Sequence, residues 1–192
     1  MKRCIIIIIL TISFITFKPA WAEGQPKYLQ AVEFLTGYGQ AELSEKKDYH
    51  IIPFSIDFDF NIKPLTKKIG FNPPSLVQFQ IEPFLSLVAQ PESNMEVGTS
   101  FLLKLGFLPE ASKFQPYIKG GVGMIYISQH TLEQSTQYNF LTYLGTGFHY
   151  IFKKDNAVTL EYRFRHLSNA SIKQPNLGID AHFCLFGITH LF

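Results

Sequence analysis

The stretch Ile52-Pro53-Phe54-Ser55-Ile56-Asp57-Phe58-Asp59-Phe60-Asn61 decides the fold. Its even positions are apolar and its odd positions mostly polar, the period of an extended strand with one greasy and one wet face. The same alternation recurs on both sides of it. Val77, Phe79 and Ile81 alternate with Gln78, Gln80 and Glu82; Val97, Phe101, Leu103 and Leu105 alternate with Glu96, Ser100 and Lys104. Val158, Leu160, Tyr162 and Phe164 alternate with Thr159, Glu161, Arg163 and Arg165. Eight such segments lie at roughly 28–40, 48–62, 75–90, 94–108, 114–129, 137–152, 156–170 and 178–192, with ends uncertain by about 2–4 residues. None sustains a helical period. Lys63 to Ser75, with Pro64, Pro73 and Pro74, reads as a loop, and Pro83 implies a local bulge.

The two faces say where such a sheet lives. The wet faces carry charges in several segments, while the apolar faces are rich in Phe, Leu and Ile. Aromatic residues cluster near segment ends (Tyr138, Phe140, Phe148, Tyr150, Phe152), as an interfacial girdle requires. A soluble sandwich also alternates, but the charged faces and the girdle favour a membrane wall. No long apolar segment follows residue 22, so a membrane protein of this sequence crosses with strands, and those must close. The expected fold is all-β: an eight-stranded antiparallel transmembrane barrel of the bacterial outer membrane. Both ends of the mature chain then face the periplasm, and Glu161, Arg163 and Arg165 neutralise one another in a polar lumen.

Residues 1–22 read as a signal peptide: Lys2 and Arg3, an apolar run from Ile5 to Phe17, and Ala20-Trp21-Ala22 before the cut. The mature domain is then 23–192. Loss of Lys2, Arg3 and Lys18 leaves 14 basic residues against 15 acidic ones, so the basicity of the whole chain says nothing about nucleic acid. Only Cys184 remains after cleavage, which excludes an intrachain disulfide. It reads as a small apolar residue on a strand face, not as a nucleophile. Cys184, Phe186, Ile188, His190 and Phe192 share one face at the C-terminus. That pattern resembles the terminal strand of outer-membrane barrels, with His190 where an aromatic residue is usual.

The chemistry lies in Arg165-His166-Leu167-Ser168-Asn169-Ala170-Ser171-Ile172-Lys173-Gln174-Pro175-Asn176-Leu177-Gly178-Ile179-Asp180. His166 and Ser168 are two apart on a strand, so they share a face, roughly 6.5–7 Å apart at the backbone. They continue the parity of Val158 to Phe164, the lipid-facing stripe, which is an unusual place for polar groups. Residues 171–178 form a loop by composition. A hairpin centred near Gln174 would set Ser168 opposite Asp180 and His166 diagonally from it. With the N-terminus periplasmic, this junction lies at the outer surface. A His-x-Ser pair alone usually means nothing, and an Asn-Pro-Gly loop is usually just a turn. The ordered set on the lipid-facing parity favours ester hydrolysis: a serine hydroxyl needs a base, and a carboxylate orients that base.

His166-x-Ser168-Asn169-Ala170, followed by Pro175-Asn176-x-Gly178 and an acid at 180, resembles the lipid A 3-O-deacylase (PagL) family. The resemblance covers the mature chain. It implies an eight-stranded outer-membrane barrel that hydrolyses the ester-linked acyl chain at position 3 of lipid A. It implies Ser168 as nucleophile, His166 as base, Asp180 as third member and Asn176 at the oxyanion hole, with no metal or organic cofactor. The best-known members carry glutamate where this chain has Asp180, one methylene shorter. The partners expected are lipopolysaccharide as substrate and the surrounding outer-membrane lipids, with no nucleic acid; homodimerisation is left open. Two other readings compete. One is a non-catalytic barrel with an adhesion or structural role. The other is an acyltransferase, which would need an acyl-donor cavity inside the barrel, against the charged face of the seventh segment. A metal site from His166, Asp180 and His182 ranks below all of these. Lys173 reads as a solvated loop residue.

Overall fold

In the computed structural model, which describes residues 28–44 and 47–192, the alternation becomes eight strands. They are β1 (Leu29–Leu43), β2 (Lys47–Asn61), β3 (Ser75–Gln90), β4 (Asn94–Pro109), β5 (Phe114–Ile127), β6 (Tyr138–Lys153), β7 (Asn156–Ser168) and β8 (Ile179–Leu191). Each pairs antiparallel with the next. β1 pairs with β8, from Ala31↔Leu191 to Ala41↔Ala181, and closes the barrel. Closure leaves no sheet edge with unpaired backbone groups. The expected signal peptide lies outside the described residues.

Two local expectations need correction. The connection from Lys63 to Ser75 is not wholly irregular. It opens with a helical turn, α1 (Lys63–Thr66), and a 3-10 turn, Lys67–Ile69, stopped by Gly70 at φ +82°. Pro64 stands in the first turn, where its missing N–H removes no helical bond. Pro83 makes no bulge. The β3–β4 register runs unbroken through Pro83↔Thr99, and Ser55↔Phe84 and Phe58↔Ile81 share one register across it. The β2–β3 shift falls instead at His50/Ile51, near a strand end.

The wall has the polarity of a membrane barrel: exposed positions are apolar and buried ones carry the charges. On β7, Val158, Leu160 and Tyr162 point outward, while Thr159, Glu161, Arg163 and Arg165 are buried in the lumen. Arg163 binds Glu82 (Nη2–Oε2, 2.7 Å) and Glu161 (Nε–Oε1, 2.7 Å). Lys119 joins Glu161 at 2.8 Å, and Lys104 bonds both Glu33 and Asp59. Arg165 takes Glu96 through two nitrogens, at 2.7 and 3.0 Å, and Tyr49 donates to the same carboxylate. These charges are paired, as burial demands. The expectation of a polar lumen holds over only part of its height. Leu43, Ile51, Val88, Ile127, Leu141, Leu167 and Ile179 pack as an apolar plug at one end. That end carries the β1–β2, β3–β4, β5–β6 and β7–β8 connections.

Candidate active site

His166 and Asp180 are direct partners in the β7–β8 ladder, and His166 Nδ1 lies 2.6 Å from Asp180 Oδ1. The expected register set Ser168 opposite Asp180, so the true pairing is displaced by two residues. The reason is the loop. β7 ends at Ser168, and the chain turns at once, with Ile172 N–H bonding Asn169 C=O and with Ala170 and Ser171 in the left-handed region. Hairpin register follows turn geometry, which composition does not specify. A shift of two keeps every side chain on its face. His166, Ser168 and Asp180 therefore all lie on the outer wall, at the end that carries the apolar plug.

Direct opposition answers the question of reach. Facing residues of an antiparallel pair hold their Cβ atoms ≈ 4.5–5.5 Å apart, within span of a short carboxylate. Asp180 takes Nδ1 of His166, which leaves Nε2 for a nucleophile's proton. Ser168 is half-buried on the same face and pairs with Phe140 of β6. Among the described residues, the side-chain hydrogen bond of His166 goes to Asp180 and none joins it to Ser168. Nucleophile and base contacts are often loose before substrate binds. Behind the site, Leu167 and Ile179 face each other across the ladder, both buried in the plug, so the strand pair has a rigid backing.

The loop over the site is held from two sides. Asn169 is buried; its Nδ2 donates to Lys173 C=O (2.8 Å) and to Ser135 Oγ (3.2 Å). Its backbone N–H donates to Asn176 Oδ1 at 2.8 Å. That bond assigns the Asn176 amide: the oxygen accepts, so the NH2 group is the free end. The β5–β6 connection clasps the same loop, with Leu177 N–H bonding Glu133 C=O and Ser135 N–H bonding Pro175 C=O. Glu133 also accepts from Ser44 N–H at 2.5 Å. Gly178 has φ +83°, and a Cβ built there would stand 2.7 Å from His166 Cε1. Sequence reasoning placed Asn169 and Gly178 in the motif but gave them no task, and it missed Ser135 and Glu133. An Asn after a strand and a Gly before one are turn signals that hint at the first two; the others come from a distant loop and leave no local mark.

The remaining candidates separate. Arg163 and Arg165 are lumenal, and the Lys173 side chain is exposed. Cys184 is unpaired on the outer face. His182 also faces outward, but its Nδ1 is 2.7 Å from Tyr162 Oη. Among the described residues no three His, Cys, Asp or Glu side chains are placed to share a metal ion.

Comparison with known proteins fits this geometry. No curated protein sequence is significantly similar to the chain. Its fold is similar to the crystal structure of the outer membrane enzyme PagL, with a TM-score of 0.61 at 15% identity over 84% of this chain and 99% of that one. It is also similar to Neisserial surface protein A (TM-score 0.60, 12% identity, 84% and 96% covered). The N-terminal barrel domain of Pseudomonas aeruginosa OprF follows (TM-score 0.51, 12% identity, 85% and 98% covered). At these identities the likenesses speak for the fold, an outer-membrane barrel. The family model "Lipid A 3-O-deacylase (PagL)" matches residues 15–189, which is nearly the whole chain. The chain thus belongs to the PagL family of lipid A 3-O-deacylases, ester hydrolases of the outer membrane.

Proposed function

We propose that this chain removes the acyl chain esterified at position 3 of lipid A through Ser168, His166 and Asp180. The observation that carries the reading is the His166–Asp180 hydrogen bond on the outside of the wall. A polar dyad facing lipid is costly unless it meets a substrate there. With both chain ends in the periplasm, the site stands at the outer leaflet, where lipopolysaccharide resides. The ester then reaches it sideways, without entering the lumen.

In this reading His166 Nε2 takes the Ser168 hydroxyl proton as Oγ attacks the ester carbonyl carbon. Asp180 holds Nδ1–H and stabilises the imidazolium. The oxyanion takes a hydrogen bond from the free Nδ2 of Asn176, itself anchored through Oδ1. Collapse breaks the bond to the sugar oxygen, which leaves with the proton from His166. A water then gives its proton to His166 and attacks the acyl-serine carbonyl; collapse breaks the bond to Ser168 Oγ, which takes the proton back from His166, and the fatty acid departs. All these groups come from one chain, so the reaction needs no second copy.

The test is mass spectrometry of lipid A from Gram-negative cells that make the wild type or Ser168→Ala at equal levels in the outer membrane. Loss of one 3-hydroxyacyl group with the wild type alone is expected. Equal deacylation by Ser168→Ala would end this mechanism, and an unchanged lipid A with both would favour a non-catalytic role.

A further inference from the structure

The end of the barrel opposite the His166–Asp180 pair carries an apolar and basic surface that the reaction does not use. It is the connection 62–74 between β2 and β3. Its two turns are closely tied. Leu65 N–H bonds Ile62 C=O at 2.9 Å, Gly70 N–H bonds Lys67 C=O at 3.1 Å, and Phe71 N–H bonds Thr66 C=O at 3.0 Å. Lys63 anchors them to Glu110 of the β4–β5 connection. Yet neither turn buries a residue. Leu65 is 63% exposed, Phe71 46% and Ile69 82%, and no other large apolar residue among those described is as exposed as Ile69. Lys67 and Lys68 are exposed between them and make no ion pair among the described residues.

The wall beside the connection shows on which side of the barrel it lies. Val77 pairs with Leu105 of β4, an exposed outward residue, so Val77 has outward parity as well. It is nonetheless only 2% exposed. Chain must therefore cover it on the lipid side. Ile62 N–H bonds Val77 C=O at 3.2 Å, so the connection leaves β2 directly beside Val77 and is the segment in reach. The turns fold against the outside of the wall, not across the mouth of the lumen. Phe107, Phe114, Tyr150 and Phe152 are exposed at this same end, the aromatic girdle that marks a membrane boundary. With both chain ends in the periplasm, it is the boundary of the inner, phospholipid leaflet. Lys113, Lys153 and Lys154 are exposed on the neighbouring periplasmic turns. Among the described residues the acidic side chains there are Asp155 and Glu110, and Lys63 holds the second.

We propose that residues 64–71 are an interfacial foot that docks on anionic phospholipid of the periplasmic leaflet. Leu65, Ile69 and Phe71 enter the upper acyl region, and Lys67 and Lys68 meet the headgroup phosphates. Segments of this kind bind through apolar area and charge together. The apolar part is continuous with the lipid-facing wall, and the basic part complements the anionic surface. Two lysines near such a surface strengthen the contact about 10- to 30-fold. A second copy meeting this one foot to foot would set lysine against lysine. The inference is independent of the deacylase reading and uses only the barrel and its orientation.

The chain's one tryptophan, Trp21, falls in the expected signal peptide, so Ile69→Trp gives the mature barrel a single fluorescent reporter. The purified barrel is reconstituted in vesicles of phosphatidylcholine alone or of an equimolar mixture with phosphatidylglycerol, each with and without brominated acyl chains. Folding is followed by gel mobility without heating, and Leu65→Trp serves as a second reporter if Ile69→Trp does not fold. In the mixed vesicles the emission should shift to the blue and be quenched by the brominated lipid. The ratio of quenched to unquenched emission should exceed that in phosphatidylcholine about 10-fold. Adding Lys67→Gln and Lys68→Gln, or screening with molar salt, should remove that difference. A water-like, unquenched emission in the mixed vesicles would overturn the proposal, and so would equal quenching in the two lipids. A blue shift that grows with the protein-to-lipid ratio would make a second copy the occupant and overturn it too.

Discussion

Gly178→Ala separates the position of His166 from the stability of the loop. Two costs arise at once. Alanine at φ +83° sits in the left-handed region, at roughly 1–2 kcal/mol. Its Cβ would also stand 2.7 Å from His166 Cε1, where ordinary carbon contacts begin near 3.5 Å, so the ring must retreat by about 1 Å. The ring is the part free to yield, and as it yields the 2.6 Å bond to Asp180 loses its alignment. A misplacement of about 1 Å at a reacting group costs on the order of 100-fold in rate, near 2.7 kcal/mol of barrier. Gly70→Ala supplies the control. Gly70 has φ +82°, and a Cβ there meets nothing within 4 Å, so it carries the strain without the clash. The assay is the initial rate of 3-hydroxy fatty acid release from lipid A in detergent, with folding followed by gel mobility without heating. Gly178→Ala should fold and lose most activity, while Gly70→Ala keeps it. Full activity in Gly178→Ala, or an equal loss in both, would refute the claim that Gly178 sets the place of the histidine.

Asp180→Asn should lower the deacylation rate by about 10⁴-fold, because an amide can hold the wrong histidine tautomer and cannot stabilise imidazolium. Asp180→Glu should stay well above it, since the side chain is largely exposed and a longer acid can bow outward; steady-state rates of the two variants decide this. Asn176→Asp keeps the oxygen that accepts from Asn169 N–H but removes the donors, so kcat should fall about 10²- to 10³-fold with the melting temperature little changed. Arg165→Met would leave Glu96 buried without its bidentate partner and should cost about 3–5 kcal/mol in urea unfolding from bilayers.

The barrel was legible because its physics repeats. Every strand must show lipid one face and the lumen the other, so each of the eight segments carries the same period-two signal, and strand ends came within a few residues. The failures lie where a single local geometry outweighs the pattern. A proline-containing stretch read as loop holds a helical turn, since Pro64 suits a first turn as well as a coil. Pro83 suggested a bulge, but neighbouring ladder pairs hold the register across it. The division of the lumen into an apolar plug and a charged belt arises from residues of many strands meeting at one height. That height depends on stagger, which no single strand reports.

The site divides along the same line, between what parity determines and what register determines. Parity put His166, Ser168 and Asp180 on one outer face, and a displacement of two residues cannot undo that. Register decides which of them touch. Opposed Cβ atoms stand ≈ 4.5–5.5 Å apart, against ≈ 7–8 Å or somewhat less on the diagonal, so the expected diagonal pairing would have called for a longer acid. With His166 and Asp180 face to face, the shorter carboxylate already reaches Nδ1 at 2.6 Å. The aspartate that looked like a departure from the family's glutamate is thus matched to the pairing. The pairing in turn is set by a turn at Asn169–Ile172, whose two left-handed residues, Ala170 and Ser171, gave no compositional sign of it.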